Sequence, residues 1–329
     1  MSAPGHRLFA DELASFAVEA AEPRLMAIAQ RIVAPLRVAV HGRRGVGSST
    51  VAHALAAAGL AVTAPTVTPE AVVQVIAEVV KPEDRVAVAA ASQPVLVVLN
   101  KADLAGRRCR ELGELIGAPT APMVALLAVA VFDDVLWSAL RLLTDQPADL
   151  RSPDAFLADA HPVSTATRRR LLETLDLYGI ALVVAALQRG ASEAAIAALL
   201  RRASGVDALL DQLDTLSRGP RYRRVLDAAA ELEILAVTDD RISDFLRSDE
   251  TVIGRMAAAV DAVEATGLKV DPRDDAAAHL RRAVHWQRYA RGLASVLLRS
   301  CGADIARGSL RLWTRAGDDA ERSDEEERR

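Results

Sequence analysis

Aromatic side chains are nearly missing from this chain of 329 residues, making up 3% of it. A core therefore has to be filled by Ala, Leu and Val, which suits closely packed helices. Cysteine is as scarce: Cys109 and Cys301 offer neither a disulfide framework nor a metal-binding spacing, which fits a reducing, cytoplasmic setting. Three lysines (Lys81, Lys101, Lys269) stand among 40 basic residues, an arginine bias that reads as high-G+C bacterial coding. A net charge of −4 argues against nucleic acid as a partner. No N-terminal apolar stretch of signal-peptide type is found, and no apolar run is expected to approach the length of a membrane span. The longest, Met123–Phe132, has strand length and is expected to be the last strand of a sheet, with a short membrane-inserting loop as its alternative. What remains is 51% hydrophobic and 26% charged, enough for a large core divided between two domains.

The most informative segment is Gly42-Arg43-Arg44-Gly45-Val46-Gly47-Ser48-Ser49. It follows the phosphate-loop pattern G-x-x-x-x-G-K-[ST] except at one position, where Ser48 stands in place of Lys. In such a loop backbone N–H groups wrap phosphate oxygens, the Lys adds charge, and the hydroxyl after it holds Mg²⁺. Ser49 keeps that hydroxyl position as a candidate Mg²⁺ ligand, and Thr50 follows. The apolar run at 36–40 predicts a strand before the loop, and 49–58 predicts a helix after it.

A second apolar run, Pro94–Leu99, ends in Asn100-Lys101-Ala102-Asp103, an N-x-x-D type turn with Lys at its second position. With both segments in order, each directly after a predicted strand, the chain resembles the large GTPase family that includes translation-factor-like, Ras-like and dynamin-like proteins. The resemblance implies an α/β G-domain-like core with a reduced sheet and a site for GTP or GDP. It assigns Asp103 to the guanine N1 and 2-amino groups, Asn100 to tying the loops together, and the Lys101 stem to covering the base. Gly42 to Thr50 would cradle the phosphates.

Other parts of that family's pattern are missing. Only about fifty residues separate Ser49 from Asn100, and no D-x-x-G occurs among them. Thr63, Thr66 and Thr68 are switch-loop remnants or, as preferred here, part of a strand-edge turn. Glu83 and Asp84, after Pro82, are expected to be charges at a helix N-terminus rather than metal ligands. Arg43 and Arg44 are expected to face solvent. Removing one electrostatic group from such a site costs about 3–4 kcal/mol of barrier, so the isolated chain is not expected to hydrolyse GTP. The expected role is a pseudo-GTPase acting as a guanine-nucleotide-binding, regulatory or scaffold subunit, paired with an intact GTPase paralogue or with itself. The alternatives are a slow dynamin-like GTPase completed by a partner, and a nucleotide-free helical scaffold at a membrane surface.

Residues 1–34 are expected to form a helical arm packing with a C-terminal bundle. A P-loop domain over 35–145, a linker over 146–163, an α-helical bundle over 164–316 and a disordered charged tail over 317–329 would follow. Within the bundle, helices are predicted over 165–189, from 192, around Leu209–Leu216 up to a stop at Gly219-Pro220, over 222–237, over 250–266, and from 274 to about 300, with a continuation to Leu312 as the alternative end. This layout resembles bacterial dynamin-like proteins, which implies nucleotide-driven assembly. Between Ala276 and Gly317 eight Arg face a single acid, Asp304, whereas residues 318–329 carry seven acids and three Arg. That contrast allows a peripheral contact with the inner face of a membrane, although a bundle helix with a solvated Arg face is preferred. His279 and His285 do not share a helix face as metal ligands would.

Overall fold

The computed structural model describes residues 4–63, 67–105, 109–292 and 295–327, with the side chains at 105, 109, 110 and 319–327 left aside. The chain opens with α1 (Gly5–Glu19) and α2 (Pro23–Val33). An alternating stretch follows: β1 (Arg37–Gly42), α3 (Ser48–Ala57), β2 (Ala61–Val62), β3 (Ala71–Ala77), α4 (Pro82–Ala90), β4 (Val95–Asn100), α5 (Ala102–Ala105), α6 (Cys109–Ile116) and β5 (Thr120–Met123). Helices then take over: α7 (Ala125–Ala128), α8 (Asp134–Asp145), α9 (Pro153–Ala158), α10 (Thr165–Gln188), α11 (Glu193–Ser204) and α12 (Val206–Leu235). The last four are α13 (Asp240–Arg247), α14 (Asp249–Glu264), α15 (Ala276–Arg291) and α16 (Val296–Glu327). These elements group into two compact units, residues 35–214 and residues 1–34 with 215–329.

In the unit of residues 35–214, five parallel strands lie in the order β2-β1-β3-β4-β5. β3 and β4 are near-continuous runs of Val, Ile and Leu, buried on both faces, as parallel strands covered by helices must be. Strand order reverses at β1, with β2 on one side of it and β3 on the other. Right-handed crossovers then send α3 and α4 to opposite faces. A doubly wound sheet of this order opens its ligand crevice beyond the carboxyl ends of the strands at that reversal. Both motif segments leave the sheet there.

Several expectations for this unit need correction. The last strand is Thr120–Met123, and most of 123–132 is the short helix α7 with the turn after it. Pro122 is tolerated within β5 because β5 is an edge strand. Residues 146–163 are not a free linker. Phe156 of α9 is fully buried against α8 and α10, and the Arg168 guanidinium donates to the carbonyls of Phe156 and Asp159. Helices α10 and α11 belong with the sheet rather than with the C-terminal bundle: Leu171, Leu175, Ile180 and Val183 pack on Leu136, Leu140 and Leu143. Helix α10 also passes the length and composition test for a membrane span, with a mean hydropathy of 1.6 over its most apolar window, a third of which is buried. The expectation that no apolar run approaches the length of a membrane span does not hold for this helix.

The other unit is helical. Phe9 and Leu13 of α1, Leu25 and Ile28 of α2, Tyr222 and Val225 of α12, Trp286 of α15 and Ile305 of α16 fill one core. Gly5 is required where α1 meets α14, because a Cβ there would collide with the Ala257–Ala258 peptide. The Gly5 N–H donates to Asp261 Oδ2 at 2.7 Å. Asp304 is buried and accepts from Tyr222 Oη at 2.8 Å and from Arg255 Nη2 at 3.1 Å. Burial, with that carboxylate nearby, pushes the Cys301 thiol up to about 12 and the Tyr222 phenol well above its usual range.

Three predicted helix boundaries also move. Helix α12 runs through Gly219-Pro220 to Leu235 instead of stopping, because Pro220 forfeits one backbone bond while Tyr222 and Val225 anchor the helix in the core. The helix expected from 274 to 300 is described as two helices, α15 ending at Arg291 and α16 beginning at Val296. The tail expected to be disordered from 317 continues α16 as far as Glu327; it holds no proline, and the helix former Glu is its commonest residue.

Candidate functional site

The loop from Gly42 to Gly47 curls back over the end of its own strand. A Cβ on Gly42 would lie 2.8 Å from Val46 Cγ2 and 2.9 Å from the Val75 carbonyl oxygen of β3. Val46 is buried and pins the turn. Gly45 and Gly47 have φ of +88° and +83°, a region where side chains are strained. Gly47 caps α3, so the N–H groups of Ser48, Ser49 and Thr50 emerge from the first helical turn with no intrahelical acceptor. They form the positive end of the helix. Ser48 and Thr50 are half-buried, and Ser49 is exposed.

β4 delivers Asn100 to the same edge of the sheet. Its side chain is buried and bonded at both ends. Nδ2 donates to the Val46 carbonyl at 2.9 Å, and Oδ1 accepts from the Ala125 N–H at 3.0 Å. One amide thus joins the loop after β1, the end of β4 and the start of α7. It also explains Gly47, since a Cβ there would strike Asn100 Nδ2. Lys101, with φ of +56°, is exposed and turns the chain into α5. Asp103 is half-buried in the first turn of that helix. Burial raises its carboxyl above the ordinary value, its own backbone N–H opposes the shift, and Asp176 of α10 raises it further.

The two arginines in the loop behave differently from each other, and Arg43 departs from expectation. Its Nε sits 3.1 Å from Oδ1 and 3.2 Å from Oδ2 of Asp84. Asp84 is 1% exposed, and its Oδ2 also accepts from the Lys81 N–H at 3.0 Å. Asp84 is therefore a cap on α4, as expected, and at the same time the counter-ion of Arg43. A carboxylate buried this deeply needs such a partner. Arg44 is exposed, as is Glu83 at the start of α4.

All the residues singled out in the two segments thus gather at one edge of the sheet: Gly42 to Thr50, Asn100, Lys101 and Asp103. The hydroxyl of Thr63 donates to the Val38 carbonyl at 3.4 Å, in keeping with a strand-edge turn. Thr68 is exposed, and Thr66 lies outside the described residues. Among the described residues no group of three or more His, Cys, Asp or Glu side chains could hold a metal ion. The sequence reading missed two neighbours of the site, Asp84 as the partner of Arg43 and Asp176 beside Asp103. Asp176 has φ of +56° and ψ of 176° inside α10, a conformation that no sequence signal announces. Compared with family models, with curated proteins and with solved structures, the chain matches none of them.

Proposed function

We propose that the chain is a GTPase-like subunit that holds a guanine nucleotide without hydrolysing it. The observation that carries this reading is the Asn100 amide, which fastens the glycine loop to the segment bearing Asp103. A turn kept only as a relic would not need a buried side chain bridging it to the base-reading strand. The positive end of α3 and the N–H groups of the loop suit phosphate oxygens. The carboxylate of Asp103 suits a donor–donor edge such as that of guanine, which adenine lacks.

Mg²⁺ fits the site less well. Ser49 would be the only side-chain ligand from the loop, and the nearby carboxylate of Asp84 is already taken by Arg43. Binding is therefore expected to be indifferent to Mg²⁺. A protein partner, either an intact GTPase paralogue or a second copy, belongs to the same reading, because a subunit without turnover acts through what it contacts.

Titration calorimetry with GTP, GDP and ATP, each with and without Mg²⁺, tests the proposal. Guanine nucleotides should bind at micromolar concentrations and ATP at least about tenfold more weakly, since mispairing a buried acceptor costs about 1–3 kcal/mol. Asp103→Ala should erase that preference, and Ser48→Lys should tighten phosphate binding. No heat with any nucleotide at millimolar concentration, or a preference that survives Asp103→Ala, would overturn the reading.

A further inference from the structure

Four residues other than glycine have positive φ among the described residues, and three of them, Ala21, Glu78 and Lys101, turn the chain between elements. The fourth, Asp176, lies inside helix α10. Its φ of +56° and ψ of 176° fall close to a region that is essentially reserved for glycine. Nothing in the local sequence asks for this break. Residues 165–188 hold no proline, and the broken position is not a glycine. The Asp176 side chain satisfies one of the N–H groups that the break sets free, since its Oδ1 accepts from Leu177 N–H at 2.7 Å.

Both halves of α10 are anchored. Leu171 and Leu175 before the break, and Ile180 and Val183 after it, are fully buried in one core. The break also draws the two halves together. A Cβ on Gly179 would lie 3.0 Å from Leu175 Cβ, whereas a regular helix holds such positions about 5–6 Å apart. The same Cβ would lie 2.6 Å from Leu127 Cδ2 of α7. Glycine at 179 thus lets the broken helix close on α7. Straightening at Asp176 would move position 179 away from Leu175 by about 2–3 Å, and the buried Leu127 would lose its seat.

That seat is connected to the glycine loop. Leu127 follows closely on Ala125, whose N–H is held by Asn100 Oδ1 at 3.0 Å. Asn100 Nδ2 holds the Val46 carbonyl of the loop in turn. Contacts therefore run unbroken from the kink, through α7 and one buried amide, to the turn that would carry phosphate. On the other side of the site, Asp176 raises the Asp103 carboxyl. Packed elements of this kind shift between discrete arrangements rather than deforming smoothly.

We propose that the break in α10 is a two-state joint coupled to the Asn100 amide: the broken helix closes the loop site and the straight helix opens it. The coupling is reciprocal, so a ligand that needs the loop and Asp103 held together keeps α10 broken. The identity of that ligand rests on the guanine-nucleotide reading above, and the joint itself does not.

Hydrogen exchange of the Ala125 amide in the full chain, without nucleotide, tests the joint. Gly179→Ala opposes the broken form and should speed that amide at least about fivefold, with β3 unchanged. Asp176→Gly relieves the strained backbone and should slow it at least about fivefold. A glycine inside an ordinary helix would destabilise it instead, so the opposite signs are not what a merely structural helix gives. Circular dichroism should show both variants folded, and if Gly179→Ala does not fold, Asp176→Gly alone decides. Ala125 exchange that is unchanged, moves the same way in both variants, or changes only together with β3 would overturn the proposal.

GDP reads the ligand side of the joint. It should slow Ala125 exchange in the unmodified chain, and its affinity should fall at least about fivefold in Gly179→Ala. GDP that binds without altering Ala125 exchange would also overturn the proposal. No GDP binding at all, with the exchange of both variants as expected, would remove the nucleotide reading and leave the joint standing.

Discussion

Replacing Asn100 by Ala removes the one side chain that joins the two loops. Its Nδ2 and Oδ1 bonds, at 2.9 and 3.0 Å, are both buried. Each deletion leaves its partner, the Val46 carbonyl or the Ala125 N–H, unsatisfied at about 1–3 kcal/mol. Two such groups give a loss of about 4 kcal/mol at mid-range, with little offset because Gly47 already approaches the vacated space. For a unit of the size of residues 35–214, each kcal/mol lowers the midpoint by about 2–4 °C. The transition of that unit in differential scanning calorimetry should therefore fall by about 8–16 °C. The loss should also reach the loop: hydrogen exchange of the amides at 44–50 should accelerate more than that of β3. Asn100→Asp keeps an acceptor for Ala125 but turns a charge toward the Val46 carbonyl, so it should be no milder. A fall of less than about 3 °C, or unchanged exchange in the loop, would show that packing around Val46 holds the turn and that the amide is incidental.

Arg43→Met should destabilise the same unit by about 3 kcal/mol, the low end for stranding a buried charge, because Arg43 keeps 26% of its side chain exposed. Asp84→Asn in the same background should recover part of that loss in a thermal double-mutant cycle, and strict additivity would refute the coupling. Gly47→Ala should cost about 2 kcal/mol or more, since φ of +83° and the Asn100 amide both oppose a Cβ; a melt shifted by less than about 2 °C would contradict this. On the proposed reading, guanine preference should fade on acidification at a pH above 3.8, because Asp103 has its carboxyl raised and a protonated acid cannot accept two N–H bonds. The stability effect has the opposite sign: a raised folded value makes the contribution of Asp103 full at low pH and diminished as pH rises through that value. Preference and melting point measured against pH should therefore diverge.

Local signals in this chain were readable wherever a single residue decides the backbone. Ser164, Ser192, Ser248 and Asp275 each cap a helix through their own side chain, and Pro82 opens α4 in its first turn. The glycines of the loop were legible for the same reason. Long-range packing was not. Pro220 reads as a stop and is carried through by Tyr222, whose hydroxyl bonds a residue 82 positions away. Arg43 and Asp84 are 41 positions apart, so a loop arginine looks solvated until the fold brings β3 beside β1. Asp176 lies still farther along the chain from Asp103, beyond the reach of any local signal. The domain boundary was misplaced because the stripe of α10 shows that it packs without showing on what.

Two cations are withheld from this cradle, and the balance of binding should change accordingly. Ser48 removes the lysine. Arg43 could turn toward a phosphate only by leaving Asp84 buried and unpaired, at about 3–5 kcal/mol, against about 1.5–3 kcal/mol for one charge-assisted bond. It stays where it is. A phosphate would then gain the end of α3, worth about 0.3–1 kcal/mol at an exposed site, and at most a screened contribution from exposed Arg44. On the proposed reading Asp103, by contrast, would offer its half-buried carboxylate to two N–H groups of the base, each at the charge-assisted figure. The base should outweigh the terminal phosphates, which inverts the order expected when a lysine reaches the β- and γ-oxygens. GMP, GDP and GTP should accordingly bind within about tenfold of one another, or about 1.4 kcal/mol, and Ser48→Lys should spread that ladder. A fall of a hundredfold or more from GTP to GMP in the unmodified chain would mean that the phosphates find a cation this geometry does not supply.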